Sequence, residues 1–289
     1  MLPVVVGLSG GLGNQLFQYA AGRSLSIRLG VSLTLDLSWF GGQKERQFAL
    51  SEFHVSGVTY TQCSWLPLRG RALVSRFSRR WFNVINGVTV WREPHFHYSL
   101  EFEKISKPVF IEGYWQSERY FWNIRDQLRN DFTLLNPIPR ECSELLEEIR
   151  ISEAICVHIR RGDYLSNSVA TQVHGVCSIE YYQSGVSELV KDMSHPHCFV
   201  FSDDIAWVKK SLFLDCPMTV VDINNPKDVH LDLILMAACR HFVIANSSLS
   251  WWGAWLGNHA EKKVIAPSHW FKAQDKNVCD LIPADWLRL

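Results

Sequence analysis

Between residues 154 and 267 the chain alternates short apolar runs with helical stretches, and most of the runs end in a polar tip. Few folds accept that pattern. The runs at 154–159, 198–201, 218–221, 241–244 and 264–267 are continuously apolar or nearly so, as strands buried on both faces must be. The stretches between them, at 179–193, 205–213, 228–239 and 249–256, read as helices, the first with Tyr182, Val186, Leu189 and Val190 on one face. Such alternation predicts a parallel, doubly wound sheet. A sheet of this kind gathers its strand tips along one edge, and ligands bind there.

The tips carry the chemistry. The first is His158-Ile159-Arg160-Arg161-Gly162-Asp163-Tyr164. Two adjacent guanidiniums suit an anion, because Arg is always charged and presents a planar fork of donors. Taken alone, Arg-Arg-Gly-Asp is more often a solvated turn with Arg161 paired to Asp163. The company it keeps favours the anion. Asn246-Ser247-Ser248-Leu249-Ser250 opens a helix, so hydroxyls and free backbone N–H groups meet the positive end of the helix dipole. Simple Ser/Asn capping is the plain alternative. On one sheet edge with Arg160 and Arg161, this helix start predicts a diphosphate site. Ser202-Asp203-Asp204, at the next tip, offers a hydroxyl and carboxylates that could accept from the N1–H and amine of guanine. A rival is that Asp203 and Asp204 hold Mg²⁺. The arginines can neutralise phosphates unaided, so no metal and no cofactor is expected.

The N-terminal half opens on another strand–helix–strand unit. Val4-Val5-Val6-Gly7-Leu8 is a central strand, Ser9-Gly10-Gly11-Leu12-Gly13-Asn14-Gln15 leads into a helix ending at Gly30, and 31–36 is a strand closing on Asp36. This is close to a dinucleotide fingerprint, which keeps an oxidoreductase reading open, but Leu16 stands where a third glycine would fall. Asn14 and Gln15 offer amides suited to sugar hydroxyls, with helix capping by Asn14 as the alternative. Residues 109–117 read as a strand whose tip, Trp115 and Gln116, could line a cleft, although a packed Trp is commoner. Residues 118–132 and 141–149 read as helices. Asn136-Pro137-Ile138-Pro139 reads as a linker, giving domains 1–139 and 140–289.

Totals exclude several classes. The 289 residues suit two domains. Lys plus Arg equals Asp plus Glu at 29 each, so no general attraction to nucleic acid or membrane is expected. The eight Cys form no C-x-x-C pair, which fits reduced thiols in a cytoplasmic protein. No leader and no run of transmembrane length is read. Five arginines (Arg69, Arg71, Arg76, Arg79, Arg80) sit among apolar residues. They read as a solvated helix face, with peripheral contact to the inner membrane as the alternative.

Four blocks together are specific. They are Gly10-Gly11-Leu12-Gly13-Asn14-Gln15-Leu16-Phe17-Gln18-Tyr19-Ala20, Gly113-Tyr114-Trp115-Gln116-Ser117, residues 158–164, and Asn246-Ser247-Ser248-Leu249-Ser250-Trp251-Trp252-Gly253-Ala254-Trp255-Leu256. In this order they resemble glycosyltransferase family 11, over about residues 4–270, and specifically its bacterial α-1,2-fucosyltransferases. The resemblance implies an α/β, GT-B-like fold: two Rossmann-like, doubly wound parallel-sheet domains facing across a cleft. It implies inverting transfer of L-fucose from GDP-β-L-fucose to the 2-hydroxyl of a terminal β-galactoside, without a metal, in cytoplasmic-side assembly of a bacterial surface glycan such as O-antigen.

By that resemblance Arg160 stabilises the departing GDP, with His158, Arg161, Ser202, Asp203, Asp204, Asn246, Ser247, Ser248 and Ser250 around the donor. Asn14, Gln15, Asp36, Trp115 and Gln116 form the acceptor side, with Asn14 near the reaction centre. Asp163 and Asp36 are both candidate bases for the acceptor hydroxyl, and neither is singled out. A fucosyltransferase of another linkage, or a non-catalytic sugar- or nucleotide-binding module, is the alternative. The acceptor's identity and the oligomeric state are not readable from the chain.

Overall fold

The computed structural model describes residues 2–42, 46–55, 58–61, 89–162, 175–223, 225, 227–272 and 277–289. Asp163, Tyr164 and the Arg-rich stretch 69–80 lie outside these residues. Contacts divide the chain into two units, Met1–Leu135 with Cys279–Leu281, and Asn136–Val278 with Ile282–Leu289. The sequence places its linker at 136–139. It gives no sign that 279–281 returns to the first unit. Asp280 explains the return, since its Oδ2 accepts from Tyr98 N at 2.9 Å and faces Arg119 at 3.7 Å.

The first unit runs β1 (Val4–Gly7), α1 (Leu12–Leu29), β2 (Leu33–Asp36), β3 (Val58–Thr61), β4 (Thr89–Arg92), β5 (Val109–Glu112) and α2 (Arg125–Asp131). Its sheet has the order β3-β2-β1-β5-β4, parallel throughout. Helix α1 stops where Gly30 takes the left-handed conformation, φ +65°, and its N–H returns to Ile27 O. The expected helix over 118–132 is three pieces instead. Two 3₁₀ turns, Glu118–Tyr120 and Trp122–Ile124, precede α2. Tyr120 packs against Trp115 and Phe102, while Phe121 packs against Phe17. Burying adjacent rings in different directions pulls the chain out of a regular helix.

The second unit runs α3 (Arg140–Ile151), β6 (Glu153–Ile159), α4 (Ile179–Val190), β7 (Pro196–Ser202), α5 (Ile205–Ser211), β8 (Met218–Val220), α6 (Val229–Ala237), β9 (His241–Val243), α7 (Ser248–Leu256), β10 (Val264–Ala266) and β11 (Leu287–Arg288). The sheet order is β11-β10-β9-β6-β7-β8, again parallel. Ile155, Val157 and Ile159 of β6 meet Cys198 and Val200 of β7, Val243 of β9, and Tyr182, Val186 and Leu189 of α4 in one buried core. The five expected strands and their intervening helices are all present, and β11 is an addition.

Both sheets share one device. In each, the first strand lies in the interior, and the chain adds strands to one side before crossing to the other. The strand order therefore reverses between β1 and β5 in the first unit, and between β6 and β9 in the second. Diverging connections at such a point open a crevice at the carboxyl ends of the strands.

Candidate active site

At the reversal point of the second unit, β6 ends by delivering His158, Arg160 and Arg161. Its neighbour β7 ends in Ser202, Asp203 and Asp204, the register pairing Ile159 with Ser202. The carboxylates and guanidiniums are matched one to one. Arg160 Nη1 lies 3.1 Å from Asp203 Oδ2, both side chains about a fifth exposed. The other oxygen of Asp203 accepts from Arg161 N at 2.8 Å. Arg161 Nε lies 3.6 Å from Asp204 Oδ2, and its guanidinium sits 3.8 Å from the centre of the Trp207 ring. Asp204 also caps α5, accepting from Trp207 N at 3.1 Å, and Ser202 Oγ accepts from Asp204 N at 3.0 Å.

One expectation changes here. Asp203 and Asp204 are engaged with Arg160 and Arg161 and with the start of α5, so neither presents a spare carboxylate pair to a guanine or a metal. Among the described residues, no three His, Cys, Asp or Glu side chains gather in a way that could hold a metal ion. Gly162 packs closely against this pair: a Cβ there would fall 3.0 Å from Asp203 Oδ2.

His158 is buried, and its Nδ1 has no hydrogen-bond partner among the described residues. Burial, then the nearby Arg160, pushes its pKa down to about 4, with Asp203 opposing. The ring is therefore neutral at ordinary pH.

Across the reversal point, β9 leads into α7. Asn246 is committed to structure. Its Nδ2 donates to Gly175 O (3.3 Å) and Trp270 O (3.1 Å), and its Oδ1 takes the Cys177 thiol. It thereby fixes one wall of a cavity of about 550 Å³ lined also by Ser178, Tyr181, Pro267 and Lys272. Ser250 Oγ is likewise spent on Ala245 O and Ser247 O. Ser247 and Ser248 are different. Ser247 is the N-cap without a side-chain capping bond, and the N–H groups of the first helical turn have no acceptor inside the helix. Of the four polar residues expected around this helix start, Asn246 and Ser250 build it.

In the first unit, β1 leads through Gly10 and Gly11 into α1. Asn14 does not cap the helix, since Gly11 is the N-cap. Its Oδ1 accepts from Gln116 Nε2 at 2.8 Å, which joins the tips of β1 and β5 across the reversal point. Gln15 is buried and fully employed. Its Nε2 donates to Gly10 O and Gln47 O, and its Oε1 accepts from Ala49 N. It is a clamp rather than an acceptor contact. Asp36 is fully buried; its Oδ1 accepts from Ser38 N at 3.0 Å, stabilising the turn after β2, while its Oδ2 has no hydrogen-bond partner among the described residues. Trp115 is fully buried too. Its ring stacks on Trp91, with centroids 5.3 Å apart, and packs on Phe102 and Tyr120. It lines no opening.

Three contributors were not foreseen. Trp207 backs Arg161. Gln18, buried, donates to Gly113 O at 3.0 Å and to Ser9 Oγ. Glu93 follows β4 and accepts from Tyr114 N at 2.7 Å and Trp115 N at 3.0 Å. Burial pushes its pKa up to about 7 against the pull of those two N–H groups. Nothing near Glu93 in sequence marks it. Its role exists only because β4 pairs beside β5.

The family model for glycosyl transferase family 11 matches residues 86–287, more than half of the chain. The chain belongs to that family. An α-1,2-colitosyltransferase of Escherichia coli is 35% identical over 99% of this chain and 98% of its own length. The O-antigen biosynthesis glycosyltransferase WbnK of E. coli is 29% identical over 98% of this chain and 99% of its own. Human galactoside α-(1,2)-fucosyltransferase 1 is 24% identical, covering 86% of this chain and 64% of that protein. Among solved structures, a point mutant of Arabidopsis thaliana FUT1 in complex with GDP aligns with a TM-score of 0.53 at 11% identity, over 91% of this chain and 70% of that one. The fold is that of the GT-B fucosyltransferases. This family 11 glycosyltransferase has, among its described residues, no helix long and apolar enough to cross a membrane.

Proposed function

We propose that this enzyme is an inverting galactoside α-1,2-fucosyltransferase. It moves L-fucose from GDP-β-L-fucose to the 2-hydroxyl of a terminal β-galactoside, in cytoplasmic-side assembly of a bacterial surface glycan such as O-antigen. The observation that carries this reading is the placement, at one reversal point, of Arg160 after β6 and of Ser247 and Ser248 at the start of α7, which follows the adjacent strand β9. Together they make a site for a diphosphate.

The chemistry follows from that placement. The acceptor oxygen bonds to the fucosyl carbon as its bond to the β-phosphate oxygen breaks. The acceptor proton is lost, and GDP departs with the electron pair. Negative charge therefore grows on the β-phosphate. A unit charge about 4 Å away is worth roughly 4 kcal/mol at an effective dielectric near 20. Spent in the transition state alone, that is about three powers of ten in rate. Arg160 has this role, and Asp203 positions it. Arg161, pinned between Asp204 and Trp207, holds the loop. Neutral His158 borders the nucleoside without adding charge. Asn14, oriented by Gln116, contacts the acceptor. Asp163 and Asp36 are the candidate bases for the acceptor hydroxyl. The reading invokes no metal ion.

A second reading has its own support. The 35% identical relative is a colitosyltransferase, and colitose is the 3-deoxy analogue of L-fucose. The same diphosphate site would serve both donors, and only contacts to the 3-hydroxyl would separate them. The test is incubation with GDP-fucose and lactose in EDTA, reading GDP release and product linkage. A 2′-fucosylated lactose is expected. Transfer from GDP-colitose with none from GDP-fucose would overturn the first reading in favour of the second, and activity that EDTA abolishes would overturn metal independence. Peripheral membrane contact through the arginines of 69–80 belongs to the same proposal. Unchanged vesicle binding after charge reversal there would remove it.

A further inference from the structure

The tip of β5 is fastened at every residue from 113 to 116. Gly113 O accepts from Gln18, Tyr114 N and Trp115 N both donate to Glu93, and Gln116 reaches Asn14. A Cβ on Gly113 would lie 2.5 Å from Glu93 Cβ, so only glycine allows the turn to press against the residue after β4. Trp115 has φ +57°, the one non-glycine residue with positive φ among those described. For a bulky side chain this is a strained conformation, kept only where the surroundings over-determine it, and such positions cluster at functional sites.

The strain has a visible product. It turns Trp115 fully inward onto Trp91, Phe102 and Tyr120, and it leaves Tyr114 outside, 47% exposed. The Tyr114 backbone is held by Glu93 while its side chain gains little packing. Tyr114 sits at the reversal point of the first sheet, one residue from Trp115 and two from Gln116, which reaches Asn14. An exposed aromatic side chain and amide groups carried on one turn are the chemistry that recognises a galactoside, whose C3–C5 hydrogens form a flat apolar face and whose hydroxyls need donors and acceptors.

We propose that Tyr114 is the platform on which the acceptor's sugar ring stacks. The proposal deepens the reading of the first unit as the acceptor side and rests on it. The test compares wild type with Tyr114→Ala and Tyr114→Phe in three measurements: saturation-transfer NMR of lactose binding, the KM for lactose, and acceptor-free GDP release from GDP-fucose. Tyr114→Ala is expected to weaken lactose binding and raise its KM about fivefold to tenfold, while GDP release stays at the wild-type rate. Tyr114→Phe is expected to match wild type in all three, because the ring and not the hydroxyl stacks. The proposal is overturned if Tyr114→Ala binds lactose like wild type, if Tyr114→Phe loses as much as Tyr114→Ala, or if the wild type binds no galactoside. A failure of the donor reading looks different: lactose binding persists and no GDP is released.

Discussion

Replacing Glu93 by glutamine removes a carboxyl that the fold holds in the wrong protonation state for its surroundings, and the consequence is a pH-dependent stability. Burial raises the pKa of Glu93 from 4.5 to about 7, although two backbone N–H groups favour the ionised form. The sign follows from proton counts. Between pH 4.5 and 7 the folded chain keeps a proton at Glu93 that the unfolded chain has released, so stability falls as pH rises through this window. A pKa rise of about 2.5 at about 1.4 kcal/mol each makes the loss about 3 kcal/mol. The glutamine of the variant cannot titrate. The stability of wild type minus that of Glu93→Gln should therefore drop by about 3 kcal/mol from pH 4.5 to pH 7 and be flat on either side. Taking the difference cancels every other titrating group. Urea denaturation followed by tryptophan fluorescence reads it, since Trp91 and Trp115 lie against the turn that Glu93 holds. Parallel stability curves for the two proteins over this window would refute the burial of an ionisable Glu93.

Three further outcomes are expected. Arg160→Ala should lower kcat about a thousandfold with GDP-fucose and lactose, and Arg160→Lys, keeping charge but losing the planar fork, should recover only part of it; steady-state kinetics checks both. Ser250→Ala should cost about 1 kcal/mol of stability for its lost bonds to Ala245 and Ser247 yet leave the donor KM unchanged, whereas Ser248→Ala should raise the donor KM and leave stability alone. His158, with its pKa near 4, should titrate by NMR well below the ordinary histidine range. Its contribution to stability is full above pH 6.5 and is lost as pH falls toward 4, because the unfolded chain takes up the proton first.

Much of the second unit was legible. Its strands are continuous apolar runs and its helices carry apolar faces, so local pattern and tertiary burial agree at each element. The first unit was harder. Strands β3 and β4 come from stretches with no clear period, and the stretch 118–132 breaks into turns because Tyr120 and Phe121 bury in different directions. At the site, residue types pointed to a diphosphate between Arg160 and Ser247-Ser248. Which polar residues the fold itself uses was not legible. Gln15, Asn246 and Ser250 are spent on hydrogen bonds inside the protein, and Asp36 and Trp115 are buried; a list of motif residues cannot tell a clamp from a contact.

What the sequence by itself determined is therefore local. It set the strands, the helices, the polar tips and the placing of those tips on one edge, because each depends on periodicity and on neighbours a few residues away. The tertiary structure alone decided the pairings between distant segments: Asp203 with Arg160, Gln116 with Asn14, Glu93 with the Tyr114 and Trp115 amides. Hydrogen-bonding capacity is finite. Whether an amide or carboxylate is spent or free depends on what the sheet order brings within about 3 Å of it, and no local pattern encodes that.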